Sequence, residues 1–291
     1  MYVKDGMKMN RKDGTKIKTK GMFAVMCFVM PKRCDSDVYI NTKIDVTNLV
    51  EYYEKLRKKK ETSHITFFHL FAMASGKLFY NRDRLNNFII NKNMYRRNSV
   101  SIGFVAKKEF KDESEELWTQ TKIEKDDNIF TLSNRLSNQV KGVRNAKENS
   151  VDKLIDNVGK LPYFLRWLIF KGLIFADNHD LLPKDLTENS IYHSSLLMSN
   201  IGSIGCDGAI YHHLTDFGTN GILMTIGKIK EEPVVIDGKI EIRKMCEFGF
   251  NLDERIADGF YFIRCLDLLK YILENPKTLE DRADTIIKIE K

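Results

Sequence analysis

No run in this sequence approaches the ~20 consecutive apolar residues that a membrane-spanning helix requires. Its cysteines are few and odd in number, five in all (27, 34, 206, 246 and 265), and no two have CxxC spacing. That leaves no redox motif, and no His/Cys clustering points to a metal. Reduced, buried thiols in a cytoplasmic protein are the expectation. Five prolines and 17 glycines are too few for a collagen-like or mostly disordered chain. No internal repeat is visible, which excludes a solenoid.

What is present is ordinary globular material: 291 residues, 43% apolar, 11% aromatic and 30% charged. Such a chain buries a large core unaided. The net charge of +7 is concentrated at the start, where Lys4, Lys8, Arg11, Lys12, Lys16, Lys18 and Lys20 face only Asp5 and Asp13. A nucleic-acid binder carries a basic stripe interleaved with aromatics in its body, and this one does not. The leader therefore reads as a solubilising tail. Met22–Met30 imitates a secretory signal, but Pro31-Lys32-Arg33 replaces the small residues of a cleavage site, so a buried helix or strand is expected.

Local patterns give a mixed α/β (α+β) order of elements. Asp37–Asp45 alternates as a strand, with Asp45 or Thr47 capping a helix over Asn48–Lys60. A very apolar helix starts at Thr66, and its apolar residues point all round. Phe88–Ile90 and Met94–Tyr95 form a hairpin, Val100–Ala106 a strand, and Asp127–Asn145 a helix. Leu161–Phe175 is apolar but carries Arg166 and Lys171. It reads either as a helix packed on its own domain or a neighbouring subunit, or as one lying in a membrane interface. Ser195–Ser199 and Gly221–Ile229 are strands, and Asp237-Gly238 turns Val234-Val235 into a long strand over Lys239–Leu252. A helix over Phe260–Leu273 stops at Asn275-Pro276.

Six segments then occur in a telling order: Tyr39–Thr47 and Ile65–Phe71, followed by Met198-Ser-Asn-Ile-Gly-Ser-Ile-Gly205, Thr225–Ile229, Pro233–Gly238 and Asp253-Glu-Arg-Ile-Ala-Asp-Gly259. Tyr271–Pro276 follows, and Glu116-Leu-Trp118 is similar to an acidic-to-Trp stretch of one branch. Over about residues 22–280 the chain resembles the catalytic domain of the dihydrolipoyl acyltransferases of 2-oxoacid dehydrogenase complexes, and more distantly chloramphenicol acetyltransferase. The resemblance implies a two-layer fold with a mixed sheet packed by helices. It implies a homotrimer with a small-molecule ligand in the cleft between subunits, and acyl transfer from coenzyme A to a small acceptor or thiol. On this reading 1–20 is the basic leader, 21–281 a single acyltransferase-like domain with an apolar helical insertion at about 151–185, and 282–291 a tail. No lipoyl-attachment segment and no linker rich in Ala and Pro is seen, so a domain acting apart from its own lipoyl arm is expected. No metal and no nucleic acid are expected.

The family mechanism uses the histidine of an H-x-x-x-D-G motif as base and a Ser or Thr hydroxyl for the oxyanion. Here the motif reads Glu254-Arg-Ile-Ala-Asp258-Gly259, and an ungapped count from Ser199-Asn200 sets the hydroxyl's place on Gly208. Asp258 keeps the place of the structural brace. Glu254 reads either as a base whose pKa burial has raised or as a carboxylate paired with Arg255 or a lysine. His212 or His213 offers an alternative base, or forms a hydrogen-bonded structural pair; on an extended segment the two would face opposite ways. Two readings follow: acyl transfer by altered chemistry, or a catalytically silent homologue that binds acyl-coenzyme A or serves as an assembly partner. No residues are assigned to coenzyme A binding.

Overall fold

Helices and strands alternate along the chain, with four strands between Asn87 and Ile123 and four more between Leu196 and Asp253. The structure is a computed structural model that describes residues 11–107, 116–145 and 157–289. Positions 1–10 of the leader, 151–156 of the expected insertion and 290–291 of the tail lie outside the described residues.

The frame is one mixed sheet. Its order is β2 (Asp37–Asp45), β10 (Lys239–Asp253), β8 (Ile222–Ile226), β7 (Leu196–Ser199), β5 (Val100–Lys107) and β6 (Glu116–Ile123), with β9 (Lys230–Ile236) paired to β10. The β5–β7 and β7–β8 ladders are parallel and the others antiparallel. The period of two decides the faces. Cys246, Phe248, Phe250 and Leu252 of β10 are buried in the main core, level with Ile44, Thr42, Ile40 and Val38 of β2. Against that face pack α2 (Thr47–Arg57), α3 (Phe67–Asn81), α4 (Ile129–Asn145) and α7 (Gly259–Glu274); α5 (Tyr163–Asn178) and the short α6 (Lys184–Glu188) come between α4 and β7 in the chain. Phe71 of α3 meets Phe248 edge-on at 5.4 Å between ring centres. Tyr39, Asn41 and Lys43 point the other way and are exposed, opposite Asn251, Gly249 and Glu247.

Local chemistry explains most boundaries. Asp45 accepts the Thr47 N–H at 2.9 Å and so starts α2. Thr66 opens α3 with a capping box in which His69 takes the usual Glu or Gln role. Asp237 and Gly238 both have positive φ, the geometry of a two-residue hairpin turn. Asn91 and Lys92 do the same between β3 (Asn87–Ile90) and β4 (Asn93–Arg97).

Several expectations need correction. The segment read as a leader is structural from Arg11 onward. β1 (Gly14–Lys16) pairs with β4, and buried Arg11 donates to the Asp177 carbonyl at 2.6 Å. In α1 (Met22–Val29) only Met26 and Cys27 are buried, because the helix rests on the surface by one narrow stripe. Phe28 is exposed, with the Lys92 ammonium 5.1 Å over its ring. All five thiols are free, but Cys34 is exposed and Cys206 only half-buried. The expected tail packs as well: Ala283 is fully buried and its N–H donates to Asp127 at 2.7 Å. No described helix is long and apolar enough to cross a membrane.

Candidate functional site

The carboxyl ends of β5, β7 and β8 open into a groove of about 1120 Å³. One wall is the start of α3 with Phe67, Phe68 and Phe71, joined by Phe104 of β5 and Trp118 of β6. The other wall is Met198 to Ile204, His212 to Thr215, and Gly227 to Ile229. Lys141 and Lys228 border it, and apolar side chains dominate its lining.

The His212–His213 segment has no regular secondary structure and is tied down by side chains. The Asp37 carboxylate accepts from the Tyr211 hydroxyl at 3.0 Å and the Leu214 N–H at 3.2 Å. Asn251 accepts the His212 N–H at 3.1 Å. Downstream, two buried arginines grip the backbone. Arg33 donates to the Thr215, Asp216 and Gly218 carbonyls, and Arg97 to those of His193 and Thr219. Burial pushes the Arg97 guanidinium down to about 10, which still leaves it charged at neutral pH.

Because the segment is irregular, both imidazoles border the groove, with ring centres 5.7 Å apart. This corrects the expectation that they face opposite ways, which holds only for a strand. His212 Nδ1 lies 3.1 Å from the His213 carbonyl oxygen. A carbonyl can only accept, so the network assigns the proton to Nδ1 and leaves the Nε2 lone pair available. That is the tautomer a general base needs.

The other histidines are bonded elsewhere or lie outside the groove. His69 Nδ1 accepts the Thr66 N–H at 3.2 Å, and burial with help from nearby His64 pushes its pKa down to about 4. His64 Nε2 is 3.3 Å from the Ser133 hydroxyl. His179 Nδ1 is 2.7 Å from the Phe175 carbonyl. His193 is buried against Asp177 at 3.2 Å. Burial raises the Asp177 carboxyl, but His193 and Arg11 outweigh it and hold it below the usual range.

The two family positions lie elsewhere. Gly208 sits on the open sheet face, where an added Cβ would meet a Glu247 carboxylate oxygen at 3.0 Å. Glu254 follows the end of β10, seven residues along from Glu247. At ~3.3 Å per residue that separates the two family positions by about 20 Å within one chain. Neither lines the groove. Arg255, an expected partner of Glu254, is instead buried on Asp253 at 2.7 Å. The Glu254 N–H donates to Ser36 at 2.9 Å, while its side chain is exposed and makes no hydrogen bond or ion pair among the described residues. Asp258 caps α7, accepting the Tyr261 N–H at 2.8 Å, with Arg84 3.9 Å away. Among the described residues no three His, Cys, Asp or Glu side chains cluster to hold a metal.

One residue escaped the sequence reading. Ser199 ends β7 in the groove, level with Thr225 of β8. The Thr225 hydroxyl donates at 2.9 Å to the carbonyl of Ile210, two residues before His212. The parallel ladder thus brings Ser199 and His212 to one region, which residue spacing does not reveal.

A family model described as the 2-oxoacid dehydrogenases acyltransferase catalytic domain matches residues 177–280. A lipoamide acyltransferase component of the branched-chain alpha-keto acid dehydrogenase complex of Bacillus subtilis is 23% identical over 237 residues, 80% of this chain. The chain spans about 45% of that relative's length. Among solved structures, a probable dihydrolipoamide acetyltransferase from Listeria monocytogenes aligns with a TM-score of 0.58 at 16% identity, covering 90% of this chain and 94% of that one. A chloramphenicol acetyltransferase aligns at 0.52 and 11% identity, covering 90% and 98%. At these identities the structural likeness is one of fold. The chain resembles this superfamily and has its two-layer fold.

Proposed function

We propose that the groove is half of an acyl-transfer site, with His212 as its base. The observation that carries this is the His212 Nδ1 contact with the His213 carbonyl, which leaves Nε2 ready to accept a proton. Coenzyme A would supply the acyl thioester, and Lys141 and Lys228 are the cations bordering the groove that would meet its phosphates. The chain's own work is proton and charge management. His212 takes the proton of a small thiol or hydroxyl acceptor as that atom attacks the acyl carbon. It returns the proton to the departing sulfur when the tetrahedral adduct collapses. The Ser199 hydroxyl is the donor this reading assigns to the oxyanion, in place of the one missing at Gly208. The aromatic walls suit an apolar acyl group or acceptor.

The reading includes a homotrimer. About 20 Å separates Gly208 from Glu254 in one chain. A family-type cleft that brings these two positions together would therefore be built from two subunits. The open hairpin of β9 and β10 exposes Val235, Ile240 and Ile242 for such a contact. Light scattering that finds a stable monomer would remove this part of the reading. A cytoplasmic site of action belongs to it as well.

The test is release of the coenzyme A thiol from acetyl- and longer acyl-coenzyme A with a dithiol acceptor. His212→Gln should lower kcat by about 10²–10⁴ while calorimetric binding persists, and His213→Gln should lower it far less. Equal turnover by His212→Gln and the native chain would refute the assignment. Binding without turnover by the native chain would favour the silent homologue, a reading that Glu254 and Gly208 support.

A further inference from the structure

Helix α5 (Tyr163–Asn178) is almost entirely apolar, yet only Asp177 is buried. Ile169, Leu173 and Ala176 are half-buried and attach it to the body along one stripe. The outward face shows Tyr163, Phe164, Trp167, Leu168, Ile174 and Phe175, with Phe164 66% and Trp167 48% exposed.

Charge says what kind of surface suits this face. From Lys160 to Ala176 the chain carries Lys160, Arg166 and Lys171 and no acid. Asp177, the first carboxylate, is turned inward to Arg11 and His193. The Lys171 ammonium lies 5.9 Å from the Trp167 ring, so its stem runs back along the apolar face and its head stays free to reach polar groups. Two copies of this face set against each other would oppose like charges, and any one protein neighbour would cover only part of its circumference. A headgroup layer meets both needs, enclosing the apolar sides while anionic lipids pair with the cations. At 16 residues the helix is roughly 24 Å long. It is too short to cross a ~30 Å hydrocarbon core.

We propose that α5 seats the protein in the plane of an anionic membrane surface, with Phe164, Trp167, Leu168 and Phe175 at the boundary between headgroups and acyl chains. The inference is independent of the acyl-transfer reading.

The experiment uses the full chain with vesicles of phosphatidylcholine and phosphatidylglycerol in equal parts, and with vesicles of phosphatidylcholine alone. The protein should co-sediment with the mixed vesicles, and its tryptophan emission should shift to the blue. Trp167→Phe, which retains Trp118, should lose the shift. Phe164→Asp combined with Phe175→Asp should abolish binding with an unchanged far-ultraviolet spectrum. Arg166→Gln with Lys171→Gln should weaken binding about 30-fold, the equivalent of ~1 kcal/mol per basic residue. Absence of binding to either vesicle, or equal binding to both, would overturn the proposal. So would Trp167 emission that is already blue-shifted and shielded from acrylamide without lipid, which would mean that another copy of the chain covers the face.

Discussion

Helices α3 and α5 are nearly the same length and nearly the same in character, FFHLFAMASGKLFYN against YFLRWLIFKGLIFADN. Every residue of α3 from His69 to Phe79 is buried, whereas α5 buries Asp177 alone. The difference lies in the small residues. Ala72, Ala74, Ser75 and Gly76 let sheet and helices close on α3 from all sides, and a Cβ on Gly76 would come within 2.7 Å of Ile123. Around the outward face of α5 the side chains are bulky, and Arg166 and Lys171 interrupt them. Hydropathy alone describes both helices as buried. What separates them is whether the rest of the chain offers a surface shaped to receive them.

The sharpest test of that contrast is one substitution made in each helix. Leu70→Ala, at a fully buried site, should cost about 2–5 kcal/mol by loss of transfer energy and creation of a cavity. Leu168→Ala in exposed α5 should stay within about 0.5 kcal/mol. Urea midpoints measured side by side decide it. Similar losses at both sites would mean that α5 is packed in solution.

Next in size is the pH dependence built into the start of α3. The folded pKa of His69 is about 4, below its ordinary 6.5. The unfolded chain therefore takes up the proton first as pH falls. Stability from this group is fully present above pH ~6.5 and is lost progressively toward pH 4, by up to about 3 kcal/mol. His69→Gln keeps an acceptor for Thr66 and removes the titration. Its stability should be flatter across that range in denaturation curves, and an unchanged slope would contradict the assignment. Smaller still is the cap of α7. Asp258→Ala should cost about 1 kcal/mol, and Asp258→Asn should recover most of it. An undiminished melting temperature in the Ala variant would show that the cap carries no weight.

The same contrast marks how far the sequence could be read. Asp37–Asp45, the Asp237-Gly238 turn and the Asn275 stop follow from local rules, namely a period of two, a turn dipeptide and a terminator, and the structure has all three. The site depends on distant pairings. Asp37 meets Leu214, and Asn251 meets His212, across an irregular segment with no period to extrapolate. His69 shares the groove with His212, and only its bond to Thr66 marks it as a cap. Nothing local marks Arg33 and Arg97 as the interior clamps that they are. The separation of Gly208 and Glu254 is likewise invisible until β10 is laid out as one continuous strand.

The central claim is an acyl-transfer groove in which His212 is the base. Thiol release from acyl-coenzyme A by the native chain, by His212→Gln and by Glu254→Gln tests it most directly. His212→Gln should lose about 10²–10⁴ in kcat, while Glu254→Gln, outside the groove, should stay close to the native rate. Full activity in His212→Gln would contradict the account.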